Sequence, residues 1–479
     1  MATEQIKDVS INDFSSGVYD DTSVGDSVMP TNALRRGVNV VFGRPRGAIS
    51  QRYGTTVLGD QAGASDADIT GVYNFRSSNS SYNKLLCSSN TVIRYLNGAT
   101  WTNTVTGLTT GLKTRFVTFL DHVAILNGTD AVQSWSGTGA WTTTAGPLDV
   151  ANFPKTKVAV LMNGRVLAIG NSTYPAQIYE SSIASGGAVS WTSGNRQTQV
   201  YTNDGNGDLI SAVSNGRVTM LFKQRAQYRY DGNSLQFIAP IGTTSHESVV
   251  TDDEGVSYFF GQGASSVGFY ATSGGFPKKI SRPVQKWVEA IDPTFYDDIA
   301  GYTDGTSVCW SIGSVSIDGI TYTNAGVVYN TADRTWSCTN HADRFLVYSQ
   351  YIDSTGAVTV LGGDADGYIQ TIGSGNTDNG TAISSEIETG PLFFGSRGRS
   401  KYLDQVLTHV TDIQGMEISM KVDGIIRPIG GVTAKNTLFD SLDLRGRKFN
   451  MLISCTNSLT PFIFEGFTFP GVQDEGLVF

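Results

Sequence analysis

Four histidines, at positions 122, 246, 341 and 409, are the first residues to test for chemistry. His246-Glu247 opens like a zinc-protease pair, in which two histidines four apart share one helix face, but Val250 holds the fourth place. The sequence contains no Gly-x-Ser-x-Gly elbow and no phosphate-cradling Gly-x-x-x-x-Gly-Lys-Ser/Thr. Asp204-Gly-Asn206-Gly-Asp208 sets oxygen ligands on alternate positions, as a calcium loop does. Leu209 then stands where the sharp turn needs glycine, and Asn215 replaces the bidentate glutamate, so a polar turn is expected. Gly362-Gly-Asp364-Ala-Asp366-Gly367 reads the same way, with aspartates bonding their own backbone. Glycosidases need two carboxylates flanking a pocket; Asp252, Asp253 and Glu254 run consecutively into Gly255 and fit a solvated turn instead. Ser134 to Trp141 is similar to a sialidase Asp-box, with Ser136 and Thr138 in place of its aspartate and glycine. These residues predict no enzyme, no cofactor and no metal.

The elements that would position such side chains are organised around Arg115 to Trp141. There, short runs at Phe116–Leu120, Val123–Leu126 and Val132–Trp135 are separated by Leu120-Asp121 and Asn127-Gly128. Asn-Gly after an apolar run is a strong hairpin signal, because a tight reversal needs positive φ. The ending "aromatic, turn, Trp or Gly" recurs at Tyr95, Trp135, Tyr179, Tyr228-Arg-Tyr230, Tyr270, Tyr329 and Tyr368. A period of roughly 40–50 residues holding several short strands is the signature of a β-propeller, whose blades bury their faces against one another. The alternative is a string of hairpins in a sandwich. The fold class expected is all-β, a propeller of six or seven blades over residues 65–382. An N-terminal arm over 1–64 and a β-sandwich-like module over 383–479 flank it.

The long interval from Tyr270 to Tyr329 contains Ser281-Arg-Pro-Val-Gln-Lys-Trp-Val-Glu-Ala-Ile. Val284, Trp287, Val288 and Ile291 there predict a helix near 283–291, capped by Ser281 and ended by Asp292-Pro293. Such a helix plugs or flanks the ring, or simply packs. In the last module Met416, Ile418, Met420 and Val422 alternate with polar residues, a strand with one buried face. Phe449–Ile453 and Phe462–Phe469 predict further strands.

Fifty-five glycines and 16% charged residues describe a turn-rich β protein. The four cysteines, at 87, 309, 338 and 455, form no Cys-x-x-Cys and are expected as buried free thiols. The N-terminus lacks a basic, apolar leader, and no run approaches the ~18–20 apolar residues of a bilayer span; synthesis in a reducing cytoplasm is expected. Charge is uneven. Against a net −9, residues 27 to 59 hold Arg35, Arg36, Arg44, Arg46 and Arg52 with no acidic residue, a local +5. Arg445, Arg447 and Lys448 add a basic rim near the end. These eight residues are the candidate docking positions, facing either phosphates or an acidic neighbouring subunit.

The pieces Phe14…Gly17, Met29-Pro30, Ala33-Leu34-Arg35, Gly37-Val-Asn-Val-Val-Phe42, Arg46-Gly47-Ala48 and Arg52-Tyr-Gly54, in that order, resemble the opening of tail tube or nozzle proteins of short-tailed bacteriophages, the tail-tubular-protein-B type. Tyr53 departs from the proline expected, and Met29 from leucine. The order Gly-Arg-Lys-Phe, Thr-Pro-Phe, Glu-Gly-Phe near the end is similar to the same family. The resemblance implies a virion protein of the phage tail, made in the bacterial host. It implies a homohexameric ring lining a channel for double-stranded DNA, contacted without sequence preference. Such a ring retains packaged DNA and docks to an adaptor or gatekeeper protein and to tail fibres. A reading from another class is a carbohydrate-binding or carbohydrate-cleaving propeller, with Trp101, Trp141 and Trp191 stacking on sugars; those tryptophans can equally close blades as core residues.

Overall fold

The computed structural model describes all residues except 1–3, 6–7, 22–28, 44–46, 64–66, 79–80, 201–206, 264–265, 412–414, 458–460 and 478–479. Among the described residues helix is confined to short pieces, and seven antiparallel groups of strands follow one another along the chain, the last two joined through N- and C-terminal strands into one larger sheet. They cover residues 69–105, 115–135, 158–199, 211–239, 250–279, 300–340 and 345–372, and we number them blades 1 to 7. The first strand of each blade is the innermost; blade 7's touches blade 1's, so the ring is closed. The recurring aromatics mark the third strand of each blade. Tyr95, Trp135, Tyr179, Tyr228, Tyr270 and Tyr329 lie on third strands, and Tyr368 immediately precedes one. The sequence period therefore counts seven blades, and the propeller reading holds.

Apolar residues from neighbouring blades fill each seam. Val117, Ala124 and Val166 join blades 2 and 3; Leu167, Ile178, Leu221 and Tyr228 join 3 and 4. Phe222 meets Phe259 between blades 4 and 5, with ring centroids 5.0 Å apart. Phe269 meets Trp310 between 5 and 6 at 4.4 Å, and Tyr302 meets Tyr348 between 6 and 7 at 4.8 Å. Blade 2 has three strands. Its outer edge carries only an antiparallel bridge from Ser134 to Thr142, where Trp141 stacks on Trp135 at 5.4 Å.

The described residues of 1–64, expected as an extended arm, are instead woven through the body. Val9–Ile11 and Ile49–Gln51 pair with Ile463–Phe469, and Leu34–Val38 pairs with Thr381–Thr389. Val38 also pairs in parallel with Cys338 of blade 6. Thr55–Val57 is the fourth strand of blade 7, antiparallel to Ile369–Ile372, so an N-terminal strand completes the last blade. The physical reason is apolar content: Phe14, Val18, Leu34, Val38, Val40 and Ile49 are fully buried, and exposing them would be costly. Gly17 sits at φ +66°, and a Cβ there would come within 2.8 Å of the Trp336 carbonyl oxygen.

The expected helix is present but short, Gln285–Glu289, entered through a 3-10 turn at Arg282–Val284. Val284, Trp287, Val288 and Ile291 are all buried, against blades 5 and 6. Ser281 does not cap it; its hydroxyl accepts instead from the backbone N–H of Phe269. Asp292 caps the following turn by accepting from the Thr294 N–H. In the C-terminal module the strand Met416–Val422 buries its apolar face as read. Phe449, Met451, Phe464, Phe467 and Phe469 share one core with Phe14 from the N-terminal segment.

Candidate functional site

The loops that lead into the innermost strands meet at one end of the propeller axis. There they line a cavity of about 870 Å³, adjoined by a smaller one of about 430 Å³. Arg115, the first residue of blade 2, reaches across the mouth to Glu247 before blade 5, with Nε 2.8 Å from Oε1 and Nη2 3.0 Å from Oε2. Lys113 donates to the Asp297 carbonyl at 2.8 Å and stands 3.5 Å from the Asp298 carboxylate and 3.7 Å from Glu247. Arg344, at the start of blade 7, binds Asp298 at 2.9 Å and covers the Phe295 ring. Blades 2, 5, 6 and 7 are thus bridged by charge. Burial alone would raise Glu247, but Arg115 and Lys113 outweigh it and hold the carboxyl down at about 2. Burial, with Arg115 beside it, drives His246 down to about 4, so its ring is neutral at physiological pH. His246-Glu247 is visible in the sequence; Arg115, the partner of Glu247, lies 132 residues away.

The arginines singled out by charge do not gather into one surface. Arg52 is buried and bidentate on Asp378, Nη1 to Oδ1 at 2.8 Å and Nη2 to Oδ2 at 2.5 Å, and its Nε donates to the side chain of Asn39. Arg36 faces Asp318 at 3.3 Å, Glu386 at 3.8 Å and Glu388 at 3.9 Å. For these two the docking expectation is corrected: their charges are already spent on this chain's own carboxylates. Arg35 is half-buried, and Arg44 and Arg46 lie outside the described residues. Arg445 and Arg447 are exposed. Arg445 pairs with Asp443 and Glu475 and lies over the Tyr402 ring. The backbone N–H groups of Arg447 and Lys448 donate to Asp423. Arg445 and Arg447 therefore remain accessible, while Arg36 and Arg52 serve a seam.

That seam is the cluster sequence reasoning missed. Besides holding Arg52, Asp378 accepts from the Ala342 N–H and lies 3.8 Å from His341 Nδ1. Burial raises Asp378, yet the hydrogen bonds and charge of Arg52 dominate and hold it far below the usual carboxylate range. Close by, Gln370 donates to both Asp343 at 2.6 Å and Asp364 at 2.7 Å, and accepts from Thr55 on the closing strand. Asp364 also accepts from the N–H groups of Asp366 and Tyr368, the turn chemistry expected. Burial first, with Asp343 adding, lifts it to about 6.

The tryptophans offered for sugar stacking are blade-closing. Trp191 is buried against Phe153 at 4.3 Å, Trp101 donates to the Asp60 carbonyl, and Trp141 donates to Thr104. Asp204 and Asn206 of the would-be calcium loop lie outside the described residues.

No protein-family model matches this sequence, and no curated protein does. Among solved structures, the extracellular domain of a one-component system from B. thetaiotaomicron is similar at 11% identity and a TM-score of 0.44. It covers 74% of this chain, which spans only 43% of that one. YCF48 bound to D1 peptide matches at 10% identity and 0.40, covering 67% of this chain and 94% of its own. The N-terminal domain of Nup159 matches at 10% and 0.38, covering 67% and 95%. At such scores the likeness is distant, and the propeller assignment stands on the closed ring of seven blades itself.

Proposed function

We propose that this chain is a structural subunit of a short-tailed phage tail, the nozzle or tube ring through which DNA leaves the particle. The observation that supports this reading is where the residues of the resemblance fall. Phe14 packs on Phe464 of the C-terminal module, and Gly17 abuts blade 6. Asn39 donates to the carbonyls of Asn340 and Ser384, and Arg52 clasps Asp378. Gly54 lies against Thr377, where a Cβ would run into the backbone. The ordered pieces are the joints that lock the N-terminal segment, propeller and C-terminal module together, so the pattern follows an architecture rather than chance composition. In this reading several copies form a ring, docking to an adaptor and to fibres through surfaces such as Arg445 and Arg447. Because Arg115 and Glu247 bridge the propeller's own axis, the DNA passes through the space enclosed by the copies. A net charge of −9 disfavours tight phosphate binding there.

The test is depletion of this chain during infection by the phage that encodes it. Filled heads that lack a tail and lose their DNA are expected; infectious particles of normal yield would refute the proposal. The carbohydrate reading has less support, since the three tryptophans it needs are engaged in packing and hydrogen bonds.

A further inference from the structure

We infer that the axial cavity is a receptor site for a carboxylate-bearing peptide segment, with Lys157 as its anchoring cation. Four basic side chains surround the two cavities, and three are committed: Lys113, Arg115 and Arg344 are each tied to a carboxylate across the mouth. Lys157, on the loop entering blade 3, has no ion-pair or hydrogen-bond partner for its ammonium among the described residues, yet it is positioned. Its aliphatic stem lies on a floor of two glycines. A Cβ at Gly128 would be 2.7 Å from its Cγ, and one at Gly170 would be 3.1 Å from its Cβ. Both glycines hold positive φ, +83° and +76°, so the floor is built into the blade 2 and blade 3 loops. The stem is held while the charged end is left for solvent or a ligand.

A second donor comes from His246, which lines the same cavity. Its Nδ1 lies 2.8 Å from the Ser211 hydroxyl. With that hydroxyl donating, the neutral ring carries its proton on Nε2, which has no partner among the described residues. An ammonium and an imidazole N–H at one cavity suit an oxyanion. The surrounding charges choose which. Glu247, Asp297, Asp298 and Asp208 line the cavity too, so a dianionic phosphate or a nucleic-acid strand meets repulsion that a single carboxylate largely escapes. Among the described residues the lining contains no Trp, Tyr or Phe to stack on a sugar, and its volume admits several residues of chain rather than a lone acid.

Isothermal titration of the full chain with the single-carboxylate peptide N-acetyl-Gly-Glu-Gly-amide tests the site. Saturable binding is expected. Lys157→Ala should weaken it by about tenfold or more, and Lys157→Arg should keep most of it. N-acetyl-Gly-Gln-Gly-amide, which has no carboxylate, inorganic phosphate and a short DNA duplex should not compete with it. Lys157 is exposed, so its variants should fold, which near-ultraviolet circular dichroism checks. Absence of saturable binding of the glutamate peptide, equal binding by Lys157→Ala, or displacement by phosphate or DNA would each overturn the inference.

Discussion

Arg52 shows how a residue's chemistry can be legible while its role is not. A run of arginines free of acids marks a basic segment, but the carboxylate that neutralises Arg52 is 326 residues away, and no spacing rule links them. Removing one partner of a buried pair leaves the other charge stranded. Arg52→Ala should therefore lose about 3–5 kcal/mol of stability in chemical denaturation. Arg52→Lys should recover only part, since an ammonium cannot match both oxygens of Asp378; a stability change within error for Arg52→Ala would contradict the seam. Asp364 gives a pH signature of definite sign. Its folded pKa, about 6, lies above the roughly 3.9 of a free aspartate. Its contribution to stability is therefore full below about pH 4 and is lost as pH rises through about 6. Asp364→Asn should flatten the stability curve across that window, measured by thermal unfolding at stepped pH, and an unaltered slope would refute the assignment. The Asp364 turn itself was readable, because an aspartate bonding its own backbone is a local event.

At the level of elements, what could be read was what repeats or alternates. The third-strand aromatics returned once per blade, the buried face of the helix lay at Val284, Trp287, Val288 and Ile291, and Met416–Val422 alternated as a half-buried strand should. Among the described residues of the N-terminal segment only Val40–Phe42 and Ile49–Gln51 pair locally as a hairpin; the other strands, two to five residues long, pair with partners hundreds of residues away that neither period nor turn announces. Thr55–Val57 supplies the outer strand of blade 7 from near the start of the chain, so the last blade is completed only by the N-terminal segment. Producing residues 1–64 and 65–479 as two chains tests this. The account expects them to copurify as a one-to-one complex, with the larger piece aggregating alone. A larger piece that is soluble, monomeric and cooperatively unfolding without its partner would show that the closing strand is dispensable.

For the whole molecule, the three parts form a continuous body. Leu34–Val38 hydrogen-bonds to the C-terminal module on one side and meets blade 6 on the other, and Arg36 ties Asp318 of blade 6 to Glu386 and Glu388 of that module. Such a unit suits a rigid ring component better than a flexible binder. Its charge also has a place in that role, since an acidic body with a few exposed basic positions repels DNA over about a Debye length while leaving points for docking. The central claim is membership of the tail, and the most direct measurement is quantitative mass spectrometry of gradient-purified particles, calibrated against the portal. This chain is expected in every intact particle at about six copies per twelve portal subunits, the hexamer that the resemblance implies. Its absence from infectious particles, or a copy number far below one ring, would contradict the claim.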